Sequence, residues 1–222
     1  MALLFDLDGT LTDPFEGIAA SAACALAELG APPLPAARQR AFIGPPLQES
    51  FAALGFDEAQ VATAIAAFRS YFADRGMFEN RVYDGIPAVL TALAADGHRL
   101  AVATSKPTPF AERILRHFGL RDFFDVVSGA TLDGSRRHKA DIIGAAFGAL
   151  GCPPAGSVMI GDRSHDVTGA RTMGLASLGV TWGYGEPGEL EAAGADAVVD
   201  SPSELVTAIA AVLRTHEQSG SS

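Results

Sequence analysis

Leu3-Leu4-Phe5-Asp6-Leu7-Asp8-Gly9-Thr10 is the stretch on which the reading of the fold turns. An apolar run that ends on acids and a glycine reads as a buried strand meeting a turn. The same pattern recurs three times. Leu100, Ala101, Val102 and Ala103 precede Thr104-Ser105; Val126-Val127 precede Ser128-Gly129; Val158, Met159 and Ile160 precede Gly161-Asp162. Amphipathic helical stretches over 86–96, 109–118, 140–150 and 165–173 separate these runs. Weaker strands are expected at 176–180 and 197–199, and a final helix from about 202 to 214. Strands alternating with helices of this length predict an α/β fold, a parallel sheet with helices on both faces.

The stretch 14–81 breaks the alternation. It is Ala-rich and helical, punctuated at 30–35 and at Gly44-Pro45-Pro46, and offers no convincing strand. It reads as a helical cap inserted after the first strand. The core is then 1–13 with 82–222, and hinges fall near Asp13-Pro14 and Tyr83-Asp84-Gly85. The polar end 218–222 is expected to be disordered.

Composition narrows the classes. With 48% hydrophobic and 19% charged residues, the chain reads as soluble and globular. No apolar run is long enough to span a bilayer, and no basic leader precedes the first apolar residues, so neither a membrane span nor a signal peptide is expected. The net charge of −10 argues against a nucleic acid or an anionic membrane as partner. A small phosphorylated metabolite is compatible with it, since a bound cation and a few placed bases reverse the field locally. No partner protein is inferable. Cys24 and Cys152 form no metal or redox spacing and read as buried free thiols in a reducing cytoplasm.

In open parallel sheets ligands bind beyond the carboxyl ends of the strands. Asp6 and Asp8 end the first strand, Thr104 and Ser105 a second, Asp162 a third; Lys139 begins a helix, and Asp166 follows Asp162 closely. Asp6 and Asp8, two residues apart in an extended segment, project to one side. Paired carboxylates split their proton affinities, so one can serve as nucleophile while the other carries a proton. Four acids at one rim call for a hard cation with oxygen ligands, such as magnesium. Lys139 supplies a fixed positive charge and Thr104 a hydroxyl donor. Positioning with electrostatic stabilisation is what phosphoryl transfer mainly requires.

These residues carry a family resemblance. The run from Asp6 to Asp13, Asp-Leu-Asp-Gly-Thr-Leu-Thr-Asp, resembles the first motif of the haloacid dehalogenase superfamily. Thr104-Ser105-Lys106-Pro107 resembles the second, Lys139 the third, and Gly161-Asp162-Arg163-Ser164-His165-Asp166 the fourth. The insert resembles the cap of phosphoglycolate phosphatases. The run from Leu132 to Lys139 resembles a branch of phosphoglycolate phosphatases and 5′-nucleotidases. The resemblance implies a Rossmann-like core with a helical cap and magnesium-dependent hydrolysis of a small phosphate monoester through an aspartyl phosphate. It implies Asp6 as nucleophile and Asp8 as general acid and base. The metal would be held by Asp6, the Asp8 backbone carbonyl, Asp162 and Asp166, and the phosphoryl oxygens by Thr104 and Lys139. Ser105, where relatives often have asparagine, is a candidate substrate contact, and Ala140 replaces a common proline.

Plainer readings stand beside these. Asp162 or Ser164 could cap the following helix, and Asp166 could be a first-turn acid. Lys106 and Arg163 read as surface or supporting residues, and His98, His117 and His165 as solvated. Arg40, Gln48 and the loop 44–48 are candidates for selecting the leaving group. Two other functions use similar parts. A sugar-phosphate mutase of the β-phosphoglucomutase kind shares the paired aspartates. A receiver-like phospho-aspartate module shares the sheet, acids and lysine but lacks such an insert.

Overall fold

A computed structural model describes residues 1–219, except for the side chains of 36, 37 and 217–219. The strands are β1 (Ala2–Phe5), β2 (Thr12–Asp13), β3 (Arg81–Val82), β4 (Arg99–Pro107), β5 (Val126–Ala130), β6 (Val158–Gly161), β7 (Ala176–Val180) and β8 (Ala197–Val199). The helices are α1 (Phe15–Glu28), α2 (Ala36–Gln39), α3 (Leu47–Ala52), α4 (Glu58–Tyr71), α5 (Ile86–Ala95), α6 (Thr108–His117), α7 (Lys139–Leu150), α8 (Ser164–Thr172), α9 (Glu189–Ala193) and α10 (Leu205–Ser219). The chain forms two compact units, Met1–Thr12 with Val82 onward, and Asp13–Arg81.

In the first unit six parallel strands lie in the order β5-β4-β1-β6-β7-β8. β1 is central, and all four of its residues are fully buried. A strand covered on both faces must be apolar throughout, which is why Ala-Leu-Leu-Phe shows no alternation. Leu4, Ala101, Ala103 and Met159 pack against Ile142, Ile143, Ala146 and Phe147 of α7 and Ala170 of α8. The pleat sends Leu3 and Phe5 to the opposite face, where the Phe5 ring meets Phe124 edge-on. Each fully buried Leu or Phe contributes about 1.5–3 kcal/mol by burial. From β1 the chain crosses to β4 and β5 on one side, then returns to β6, β7 and β8 on the other. That reversal opens a crevice beyond the carboxyl ends of β1, β4 and β6.

The second unit is helical. Phe42, Phe51, Phe68 and Phe72 form a run of ring contacts in its core. Asp57 and Gln60 form a reciprocal cap at the start of α4: each backbone N–H donates to the other's side-chain oxygen, at 3.0 and 2.9 Å. After α4 the backbone widens into a five-residue π turn, Phe72–Gly76. The chain passes between the units through β2 and β3, which pair with each other. The Arg81 guanidinium donates to Asp13 at 2.7 Å.

Several expectations need correction. β4 runs on through Thr104 to Pro107, with a register shift between those two residues, instead of stopping at Ala103. α10 continues to Ser219, so 218 and 219 are helical where disorder was expected; 220–222 lie outside the described residues. The short α9 follows Gly188 and was not foreseen, since five residues carry too little periodicity to read. Leu47 and Gln48 belong to α3 instead of a loop. Cys24 is exposed, on the side of α1 away from its buried residues, and Cys152 is half-buried; neither is a core thiol. Among the described residues no helix is long and apolar enough to cross a membrane.

Candidate active site

Asp6 leaves the end of β1 with its N–H donated to the Ile160 carbonyl of β6 at 2.8 Å. The chain then folds into a tight turn, in which the N–H groups of Leu11 and Thr12 both donate to the Leu7 carbonyl. Gly9 sits in this turn at φ +87°, and a Cβ there would run into the Asp162 carboxylate. Glycine is therefore required twice over, by conformation and by space.

Lys139 is the first residue of α7, and its side chain is 4% exposed. Its ammonium lies 3.0 Å from Asp6 Oδ1 and 2.6 Å from Asp166 Oδ1, and donates to the Ala103 carbonyl at 3.0 Å. Two of its N–H donors go to Asp6 and Ala103, while the contact with Asp166 is an ion pair without a hydrogen bond. What it chiefly offers an incoming anion is its charge. Burial alone would lower the Lys139 ammonium, but the Asp166 and Asp6 carboxylates outweigh it and hold the group above its ordinary value.

Asp162 follows β6 and is almost fully buried. The Tyr184 N–H donates to its Oδ2 at 2.8 Å and the Thr10 hydroxyl to its Oδ1 at 3.4 Å. Burial, then the charges of Asp6 and Asp166, push Asp162 well above the usual carboxylate range. Asp166 is pushed up to about 6, by burial first and the Asp6 charge beside it, against the pull of Lys139. Its Oδ2 accepts the Arg163 N–H at 3.1 Å, so the first-turn reading of Asp166 also holds. The residue before α8 is Arg163, so neither Asp162 nor Ser164 caps that helix.

Asp6, Asp162 and Asp166 each present a carboxylate oxygen within 4.8 Å of the others, all buried. Three converging carboxylates beside a buried lysine form an all-oxygen donor set. A hard divalent cation fits it on charge and chemistry. The Asp8 carboxylate does not join this set. Its Oδ2 lies 2.8 Å from the Lys106 ammonium, while its Oδ1 is buried without a hydrogen-bond partner. Burial raises Asp8 above its usual value, and Lys106 only partly offsets this.

Thr104, buried in β4, accepts the Lys106 N–H on its Oγ1 at 3.2 Å; its role is not that of a helix cap, since α6 starts at Thr108 behind Pro107. Ser105 is exposed. Arg40 and Gln48 are exposed residues of the helical unit.

Further residues complete the surroundings. Of the two readings of Lys106, surface or supporting, the second holds: its side chain is only 7% exposed. Trp182 donates its indole N–H to the Thr10 carbonyl at 3.1 Å. Glu189 accepts N–H groups from Ser164 at 2.7 Å and Glu186 at 3.0 Å and pairs with Arg163, tying the 183–188 loop to the start of α8. Burial opposes its charge, but the Ser164 and Glu186 N–H groups outweigh that and lower it to about 2. Arg163 is thus a supporting residue and not a free surface charge.

A doubly wound parallel sheet with converging carboxylates and a buried lysine at its switch point defines an α/β protein with an acidic, cation-compatible site. The profile of the haloacid dehalogenase-like hydrolases matches residues 3–180, and the chain belongs to that family. Its relatives include a 5′-nucleotidase of Pseudomonas aeruginosa, 48% identical over 191 residues and 86% of each chain. The tyrosine-protein kinase PtkA of Mycobacterium tuberculosis is 46% identical over 183 residues, 82% of this chain and 62% of that protein, so this chain spans less than two thirds of PtkA. Phosphoglycolate phosphatases also stand among the relatives. A predicted phosphatase from Clostridium acetobutylicum superposes with a TM-score of 0.89 at 45% identity, covering 94% of this chain and 97% of that one.

Proposed function

We propose that the chain is a magnesium-dependent phosphatase that hydrolyses a small phosphate monoester through an aspartyl phosphate on Asp6. The observation that carries this reading is Lys139, buried between Asp6 and Asp166 at 3.0 and 2.6 Å, with Asp162 converging on the same point. Asp6 attacks phosphorus and Asp8 gives its proton to the leaving oxygen. Asp8 then takes a proton from a water that attacks phosphorus; the bond from phosphorus to the Asp6 oxygen breaks, and inorganic phosphate leaves. The Thr104 hydroxyl, whose acceptor side is occupied by Lys106 N–H, donates to a phosphoryl oxygen. Lys139 balances the charge of the carboxylates and the phosphoryl group. Asp6, Asp162, Asp166 and the Asp8 backbone carbonyl would hold the magnesium ion, which supplies positive charge against the phosphoryl oxygens when bound.

Phosphate release measured with magnesium over phosphoglycolate, sugar phosphates and nucleoside monophosphates tests the reading. Nucleoside monophosphates belong in the panel because of the 5′-nucleotidase relative. Release should stop with EDTA and return with magnesium. Full release in metal-free buffer would refute the metal's role, and phosphate passed to an acceptor with none set free would favour a transferase.

Selection among esters we assign to the helical unit, with Arg40, Ser105 of the core and Gln48 as contacts. Arg40→Ala and Gln48→Ala should reorder the substrates while leaving an aryl phosphate little changed. Equal loss on every substrate would make these residues supports of their own unit.

A further inference from the structure

We propose that Lys106 is a positioning residue for Asp8: it anchors one carboxylate oxygen so that the other faces the leaving group. The inference rests on the phosphatase reading above.

The turn after β1 fixes the Asp8 backbone but does not by itself orient its carboxylate. A group that gives a proton and later takes one back needs one oxygen held and one available. Asp8 is arranged in that way. Oδ2 is 2.8 Å from the Lys106 ammonium; Oδ1 is buried and lacks a hydrogen-bond partner.

Lys106 is itself held. Its N–H donates to Thr104 Oγ1 at 3.2 Å, at the point where the β4–β5 register shifts. Its carbonyl lies so close to Gly129 that a Cβ there would overlap it, and the Gly129 N–H donates to Thr108 Oγ1 at 2.9 Å on the far side of the bulge. In an extended segment Thr104 and Lys106 share a side, while Ser105 points the other way, to solvent. The irregular extension of β4 therefore has a use. It brings a second cation beside the paired aspartates, one that touches Asp8, whereas Lys139 touches Asp6 and Asp166.

During transfer the Asp6 oxygen–phosphorus bond forms as the ester oxygen–phosphorus bond breaks, and the proton on Asp8 goes to that ester oxygen. Lys106 exchanges no proton and touches no substrate atom; its effect passes through the direction of the Asp8 carboxyl. That effect should scale with how much the leaving group needs a proton.

Single-turnover phosphorylation of Asp6 by an alkyl phosphate and by 2,4-dinitrophenyl phosphate, both with magnesium, tests this. Lys106→Gln should slow the alkyl ester about 100-fold and the dinitrophenyl ester less than about threefold, since a poor leaving group depends on acid help. A structural role would slow both alike, and that outcome overturns the proposal. Lys106→Gln leaves Asp8 uncompensated, so the neutral pair Asp8→Asn/Lys106→Gln is the variant to measure if the single one does not fold. The double variant should match Asp8→Asn within about twofold, the non-additivity expected of residues acting as one unit. A further loss of tenfold or more would show Lys106 acting apart from Asp8. If Asp8→Asn itself keeps the wild-type rate, the phosphatase mechanism fails first, whatever Lys106 does.

Discussion

Asp6→Asn is expected to bring phosphate release to background, a loss of at least about 10⁴-fold, in the range seen when a nucleophile is removed. The substitution is nearly isosteric, and its position between Lys139 and the Ile160 carbonyl should survive it. The amide oxygen can still accept from Lys139. It cannot attack phosphorus usefully, and it removes one negative charge from the group that suits a divalent cation. Two readouts separate these effects. A thermal melt should change little, because one of three crowded carboxylates has gone along with one partner of the lysine. Acid-quenched enzyme should carry no covalent phosphate, whereas Asp8→Asn, with its nucleophile intact and its second step slowed, should accumulate it. An Asp6→Asn enzyme that keeps most of its rate would remove Asp6 from the mechanism.

Lys139→Met should cost about 10²–10³-fold in turnover, the scale seen when one preorganised electrostatic contact to the transition state is lost. Methionine keeps much of the apolar stem that packs beside Gly169 but leaves Asp6 and Asp166 facing one another without a cation. Arg137, exposed two residues earlier, is the control, and Arg137→Ala should retain nearly full activity. Melts with and without magnesium distinguish loss of the site from loss of the fold, since a bound cation replaces part of the missing charge. Undiminished turnover in the Lys139 variant would show that its burial among the acids serves stability alone.

Both variants target residues visible in the sequence, for a physical reason. Asp6, Thr104, Lys139 and Asp162 each stand where an apolar run ends or an apolar helix begins, so strand ends and chemistry could be read from the same letters. The geometry that joins them is long-range, with Lys139 and Asp6 in contact across 133 residues. Only the assumption of a parallel sheet connects them beforehand. Lys106 could not be narrowed beyond a surface or supporting residue, because a lysine in a polar stretch is ordinarily solvated and no local pattern announces that β4 continues past Thr104 with a register shift. Glu189 and the Tyr184 N–H were missed for a related reason. They act from a Gly-rich loop whose one short helix is too brief for periodicity, and a backbone donor leaves no mark on residue type. Cys24 was misplaced because composition says that thiols are usually buried, while the helix phase, with Ser21, Ala22, Ala25 and Leu26 inward, turns it out.

The central place of β1 also sets an order of assembly. This strand emerges from the ribosome before the other strands of its sheet, yet its neighbours are β4 and β6, and Ala2 N–H donates to Ser157 across 155 residues. Synthesis at about 5–20 residues per second leaves Ala2–Phe5 without its second neighbour for roughly 8 to 30 seconds. The helical segment 13–81, whose contacts are closer along the chain, can condense in that interval. Pairing over such separations is slow, because the loop must close before contacts reward it. Asp6 therefore meets Asp162 and Asp166 only when the sheet closes around β1. Binding of a cation would be among the last events of folding, and a nascent chain cut short before residue 158 would hold Asp6 but neither Asp162 nor Asp166.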